Sequence, residues 1–130
     1  MDIDLFFFFS SIQSSKYRMY DYSYNWLVLG STYDQSVPFL NDTAYNIITD
    51  VALAISNRDG YDLYDVFNHC KYRGGPLNVT ELGTWYPESG LKISLTQPLI
   101  NRRANMHGMR LKISGVVSSL ILIERRCSIR

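Results

Sequence analysis

Four short apolar runs separated by turn chemistry constrain this chain more than any other feature. Asp50 to Ser56 (DVALAIS) is strand-like and runs into Asn57-Arg58-Asp59-Gly60, a strong turn signal. Tyr61 to Phe67 then alternates with period two, placing Tyr61, Leu63, Asp65 and Phe67 on one face and Asp62, Tyr64 and Val66 on the other. Neither face is purely apolar, so the expectation is an exposed or edge hairpin. His69 to Pro76 is a loop, Leu77 to Tyr86 and Leu91 to Leu95 are further strands, and Pro87-Glu88-Ser89-Gly90 is the turn between them. A series like this needs a sheet. Ten Tyr and six Phe suit it, because broad rings cover a half-buried pleated surface.

Upstream, Tyr24 to Gly30 reads as a short buried strand ending at a glycine, the pattern of a central strand in an α/β sheet. Polar turn residues fill Ser31 to Ser36. Val37, Leu40, Ala44 and Ile47 then recur at three and four, predicting a helix over 37–47 with Pro38 near its start. Residues 1–23 are irregular, an aromatic run followed by a Ser- and Tyr-rich stretch. Gln97 to Gly108 is polar with room for one helical turn, and Met109 to Val117 is a last strand. The fold class expected is α/β and strand-rich, in one domain, with no internal repeat.

Composition removes several function classes. Lys plus Arg number 13 against 12 Asp plus Glu, so the net charge is +1, without the basic surplus that phosphate-backbone binding requires. At 46% hydrophobic and 19% charged residues the chain is too apolar to be mainly disordered. No stretch reaches the roughly 18 to 20 apolar residues needed to span a bilayer. The apolar run Leu5 to Phe9 is flanked by Asp2 and Asp4 where an export signal wants Lys or Arg. Two acceptor patterns for N-glycosylation, Asn41-Asp42-Thr43 and Asn78-Val79-Thr80, nonetheless suit exposed positions of a secreted chain.

No catalytic constellation emerges. His69-Cys70 invites a thiol–imidazole pair, but adjacent residues of an extended segment point to opposite sides and no third group orients the imidazole. A structural or unpaired cysteine is the expectation at Cys70; the separation of Cys70 and Cys127 is compatible with a bridge, although the position of Cys127 in the tail favours two unpaired thiols. His107 reads as a surface hydrogen-bonding residue, and two His with two Cys show no ligand spacing for a metal. Arg73-Gly74-Gly75-Pro76 lacks the downstream Gly, Lys and Ser or Thr of a phosphate loop, and reads as a hairpin turn. Arg102-Arg103 could meet an acidic ligand, but two basic residues in a loop are ordinarily solvated. Asp62, Asp65 and Glu81 stand as scattered carboxylates. The expectation is a non-enzymatic chain with no cofactor and no metal.

Several segments, taken together in order and spacing, resemble the insect ionotropic receptors, chemosensory relatives of the ionotropic glutamate receptors, and specifically the seventy-five branch. They are Asn25-Trp26-Leu27-Val28-Leu29-Gly30, Asn46-Ile47-Ile48-Thr49-Asp50 with Val51 to Ile55, and Leu63-Tyr64-Asp65-Val66-Phe67-Asn68. Gly74-Gly75-Pro76-Leu77-Asn78-Val79-Thr80, Leu82-Gly83-Thr84-Trp85 and Gly90-Leu91-Lys92 follow. The most specific piece is Arg102-Arg103-Ala104-Asn105-Met106-His107-Gly108-Met109-Arg110-Leu111-Lys112, similar to the element leading such receptors into their ligand-binding lobe.

The resemblance implies that 24–108 is the end of an extracellular amino-terminal domain similar to periplasmic binding proteins. It further implies that 109–117 opens the ligand-binding lobe and that 118–130 is a divergent tail. The parent would be a ligand-gated cation channel subunit detecting odorants such as carboxylic acids, assembled with co-receptor subunits at the extracellular side of the plasma membrane. The family-motif residues expected to matter are Trp26, Gly74, Gly75, Asn78, Gly83, Trp85, Arg102, Arg103, Asn105 and Gly108, and no ligand contact is carried over. A free-standing soluble α/β module, capturing a ligand or partner at its strand ends, is the alternative.

Overall fold

The computed structural model describes residues 19–20, 23–106 and 108. They form a five-stranded mixed sheet in the sequential order β1 (Asn25–Gly30), β2 (Asp50–Ser56), β3 (Tyr61–Asn68), β4 (Leu77–Tyr86) and β5 (Gly90–Ile93). Helix α1 (Tyr33–Asn41) crosses over between β1 and β2, which are parallel with Trp26 beside Val51 and Val28 beside Leu53. The remaining neighbours are antiparallel, and a single-turn α2 (Leu99–Arg102) follows the sheet. The architecture is the strand-rich α/β class expected, consistent with a fragment of a periplasmic-binding-protein-like domain. The last strand expected over 109–117 and His107 lie outside the described residues.

One sheet face carries the core. Val28, Val51, Leu53, Ile55 and Val66 come from the strands and are covered by Leu40 of α1 together with Tyr20 and Tyr45. Tyr20 belongs to the stretch expected to be irregular, yet it is buried and meets Tyr45 edge-on with ring centroids 5.0 Å apart. Its carbonyl accepts hydrogen bonds from Asn46 Nδ2 at 2.8 Å and Thr49 Oγ1 at 3.0 Å. The Trp26 indole N–H donates to the neighbouring Met19 carbonyl at 3.1 Å. Burying backbone carbonyls in this way is tolerable only because each receives a donor.

Three placements correct the sequence reading. β1 is not central: it pairs with β2 alone among the described residues, and Leu27 and Leu29 on its second face remain 65% and 59% exposed. An apolar run reports that both faces could be buried, not that something lies on both. β3, expected at an edge, is instead the middle strand, with Leu63, Asp65, Val66, Phe67 and Asn68 all buried. Its carboxylates are compatible with that place because each is partnered, Asp62 by Asn57 Nδ2 at 2.9 Å and Asp65 as described below.

The helix starts earlier than expected, at Tyr33, and stops at Asn41. Tyr33, Val37 and Leu40 keep the helical spacing, but beyond them the chain turns on Asn46. The Asn46 side-chain oxygen accepts the amides of Ile48 at 2.8 Å and Thr49 at 3.1 Å, an alternative to helical bonding that Asn offers readily. The turns fall where the sequence puts them. Asn57 Oδ1 accepts the Gly60 amide at 2.8 Å in the β2–β3 hairpin. The Arg73-Gly74-Gly75-Pro76 stretch lies in the connection between antiparallel β3 and β4, where Gly74 takes φ 75° after a 3₁₀ turn over Lys71–Arg73.

Burial gives the core an alkaline limit. Desolvation pushes the Tyr45 hydroxyl well above the ordinary tyrosine range, reinforced by Tyr20 and partly offset by a hydrogen bond with Thr43. A phenol whose folded pKa is raised holds its proton more tightly folded than unfolded. Its contribution to stability is therefore whole below about pH 10, the unfolded value, and is lost as pH rises beyond it. Tyr64, raised mainly by burial and then by Asp62, Glu81 and Tyr33, acts in the same direction. Tyr45→Phe should make the fall in stability above about pH 10 shallower without abolishing it. Denaturant midpoints on both sides of that pH check this, and an unchanged alkaline slope would refute it.

Candidate functional site: an arginine-anchored cluster

A carboxylate in the middle of a central strand poses a problem that the sheet cannot solve alone. Asp65 shares a face with Leu63 and Phe67 and is 1% exposed, so as an anion it needs cationic donors brought from elsewhere in the chain. They arrive from the segment after the sheet. Arg103, at the C-terminal end of α2, is 0% exposed. Its Nη2 donates to Asp65 Oδ1 at 2.5 Å and its Nε to Oδ2 at 3.3 Å, the two-pronged match that a planar guanidinium makes with a carboxylate.

Arg102 supplies the second cation. Its Nη2 donates to Asp65 Oδ1 at 3.2 Å, and its Nε lies 3.0 Å from Oδ2 without the alignment of a hydrogen bond. Both arginines therefore fold onto one carboxylate, correcting the expectation of two solvated bases and a scattered acid. Two guanidinium charges exceed one carboxylate charge, and the surroundings answer the excess. Arg103 Nη1 donates at 2.8 Å to each of the Ile47 and Thr49 carbonyls, in the connection between α1 and β2. The guanidinium carbon stands 4.6 Å from the centre of the Phe67 ring, within range of a cation–π contact.

His69 closes the far side. Its Nε2 lies 3.0 Å from the Arg103 carbonyl, which can only accept, so Nε2 is the donor of that bond. Asn78 Nδ2 approaches that Nδ1 at 3.5 Å while donating to the Pro76 carbonyl at 3.0 Å. The His69 ring also meets Phe67 edge-on, with ring centroids 5.1 Å apart. Cys70 is disulfide-bonded, contrary to the expectation of an unpaired thiol, and no described cysteine is free. A cystine sulfur has no thiolate to offer, so the His69-Cys70 pair is no nucleophile. Cys127 lies outside the described residues.

The cluster holds separate segments of the chain together. Both Asp65 oxygens face guanidiniums, and the His69 ring nitrogens face the Arg103 carbonyl and the Asn78 amide. Among the described residues no group of three or more His, Cys, Asp or Glu is gathered to hold a metal ion. The arrangement instead fastens the segment after the sheet to the α1–β2 connection, to the centre of β3 and to the β3–β4 connection.

The other family-motif residues fall elsewhere. Trp26 lies on β1 at 5.1 Å from Tyr20, and Trp85 on β4 packs at 6.0 Å against Tyr61. The Gly75 carbonyl accepts from Asn68 Nδ2 at 2.8 Å. Gly83 sits where the β3–β4 register shifts, with Leu63 opposite Gly83 but Tyr64 opposite Glu81. Asn105 is exposed, and Gly108 is exposed with φ 74°. The sequence reading missed Asp65 as the partner of both arginines. The available signal was an acid on an otherwise apolar strand face, which requires a cation from outside the sheet.

No helix among the described residues is long and apolar enough to cross a membrane. No curated protein matches the chain, and no solved structure matches it. A family described as ionotropic receptor 75a N-terminal, a receptor region rather than an enzyme class, matches residues 9–116 and so takes in the whole sheet and the arginine anchor. The chain belongs to the ionotropic receptor 75a N-terminal family.

Proposed function

We propose that this chain is the extracellular amino-terminal part of an insect chemosensory receptor subunit, a ligand-gated cation channel that detects odorants such as carboxylic acids. In this reading 24–108 ends the amino-terminal domain, 109–117 opens the ligand-binding lobe, and the pore lies in a continuation of the parent chain. The part described here is non-catalytic. It packs and assembles with co-receptor subunits and supplies a fixed base for the lobe that binds the odorant.

The observation that supports the reading most is the family match over 9–116. The arginine anchor gives it a physical form. Arg102 and Arg103 stand a few residues before Met109, so a displacement of the chain beyond them would be resisted by Asp65, Ile47 and Thr49 at once. The test is sequencing of full-length transcripts across the codon for Val117, followed by expression of the complete frame with a co-receptor subunit. The expected result is a frame continuing into a lobe and pore helices, and a cation current evoked by short carboxylic acids. A transcript that stops after Arg130 would overturn the channel assignment.

A further inference from the structure

The fold treats the two glycosylation patterns differently, and we infer that the folded protein carries an N-linked glycan on Asn41 and none on Asn78. The inference rests on the extracellular reading above. Attachment joins the side-chain Nδ2 to the anomeric carbon of a lipid-pyrophosphate-linked oligosaccharide. The amide gives up one proton and the lipid pyrophosphate leaves. What remains on the asparagine is a single N–H and a bulky sugar, so an acceptor must have one amide proton to spare and open space beside it.

Asn41 meets that condition. It is the last residue of α1 and is solvent-exposed, and its fixed part is the backbone, whose carbonyl accepts from Lys71 Nζ. Asn78 does not. It is half-buried at the start of β4, with Nδ2 donating to the Pro76 carbonyl at 3.0 Å and lying 3.5 Å from His69 Nδ1. A sugar on that nitrogen would remove one of the two protons directed there and would press on the imidazole that holds the Arg103 carbonyl. Chains modified at Asn78 should therefore fail to close the arginine anchor.

Timing follows from the hydroxyl positions. Thr43, the third residue of the Asn41 pattern, is buried and hydrogen-bonded to Tyr45, whereas Thr80 is exposed. Transfer at Asn41 must therefore precede closure of the core, when Asn78 is open as well. The selection comes at folding, which leaves the Asn41 sugar in solvent and excludes chains modified at Asn78 from the folded, secreted product.

The experiment is secretion of the 130-residue chain from insect cells behind a cleavable export signal, with glycosidase digestion and glycopeptide mass spectrometry of the product. Asn41→Gln is compared with Thr80→Val, which destroys the second pattern while leaving Asn78 and its contacts in place. Expected are one glycan in the unmodified chain, none in Asn41→Gln and one in Thr80→Val. A glycan on Asn78, two glycans, or none would overturn the inference. Mass spectrometry of the unmodified chain assigns the site even if Asn41→Gln is not secreted. Because the added signal imposes the compartment, these outcomes bear on the acceptor alone. Failure of the extracellular placement would show separately, as a receptor expressed from its own complete frame that remains in the cytosol.

Discussion

Arg103→Met should be the most damaging single substitution of a side chain in this fold, lowering stability by about 3–5 kcal/mol. Methionine keeps much of the length and apolar stem, so the loss measures the guanidinium. Asp65 would keep only Arg102, whose Nε is not aligned for a hydrogen bond, and the carbonyls of Ile47 and Thr49 would lose the donor at 2.8 Å that each now has. An orphaned buried acceptor costs about 1–3 kcal/mol by itself, so several unmade bonds fall together. A small domain has only about 5–15 kcal/mol in all, and the variant therefore approaches complete unfolding.

Two companions keep the expectation testable. Arg103→Lys retains the charge, but its compact ammonium cannot serve a carboxylate and two carbonyls in a fixed fork, so it should lie between wild type and Arg103→Met. Arg102→Ala should cost only about 1–2 kcal/mol, because Arg103 still holds Asp65 in two-pronged fashion. Urea midpoints give the order. Equal losses at Arg102 and Arg103 would show that the anchor is not organised around the buried guanidinium.

The same residues show what sequence alone could and could not give. Strands and hairpin turns were legible because they are local: alternation over Tyr61 to Phe67 and Asn57 to Gly60 needs only neighbours. Strand order was not, because it depends on what covers each face. Leu27 and Leu29 look as apolar as Val51 and Leu53, yet one pair is exposed and the other buried. The anchor was invisible for a related reason. A charge run reads as solvated until a partner is known, and Asp65 lies 38 positions before Arg103. The helix end was missed because Asn46 competes for the backbone from within the apolar spacing, a case of side-chain chemistry overriding period.

Gly83 provides the second large effect, from sterics instead of charge. It lies at the register shift between β3 and β4, where the carbonyl of the bulged residue Leu82 accepts the amides of Ser94 at 3.0 Å and Leu95 at 3.2 Å. β5 consequently runs very close to Gly83. A Cβ there would sit 2.2 Å from the Lys92 carbonyl oxygen and 2.9 Å from the Ile93 Cα, both backbone atoms that no side-chain rotation can clear. Gly83→Ala must therefore push β5 away from β4. Overpacking of this kind costs about 1–3 kcal/mol, and here it should be concentrated in one strand pair.

Amide exchange locates the effect. Protection at Ser94 and Leu95 and along β5 should fall sharply in Gly83→Ala, while the β1–β2 and β2–β3 amides change little. Gly74 supplies the contrast, since it needs a left-handed backbone at φ 75° but has open space around its missing Cβ. Asparagine enters that conformation at small cost, so Gly74→Asn should be nearly neutral whereas Gly83→Asn should be as harmful as Gly83→Ala. If Gly83→Ala left β5 protected, the close approach of the two strands could not be what requires glycine at this position.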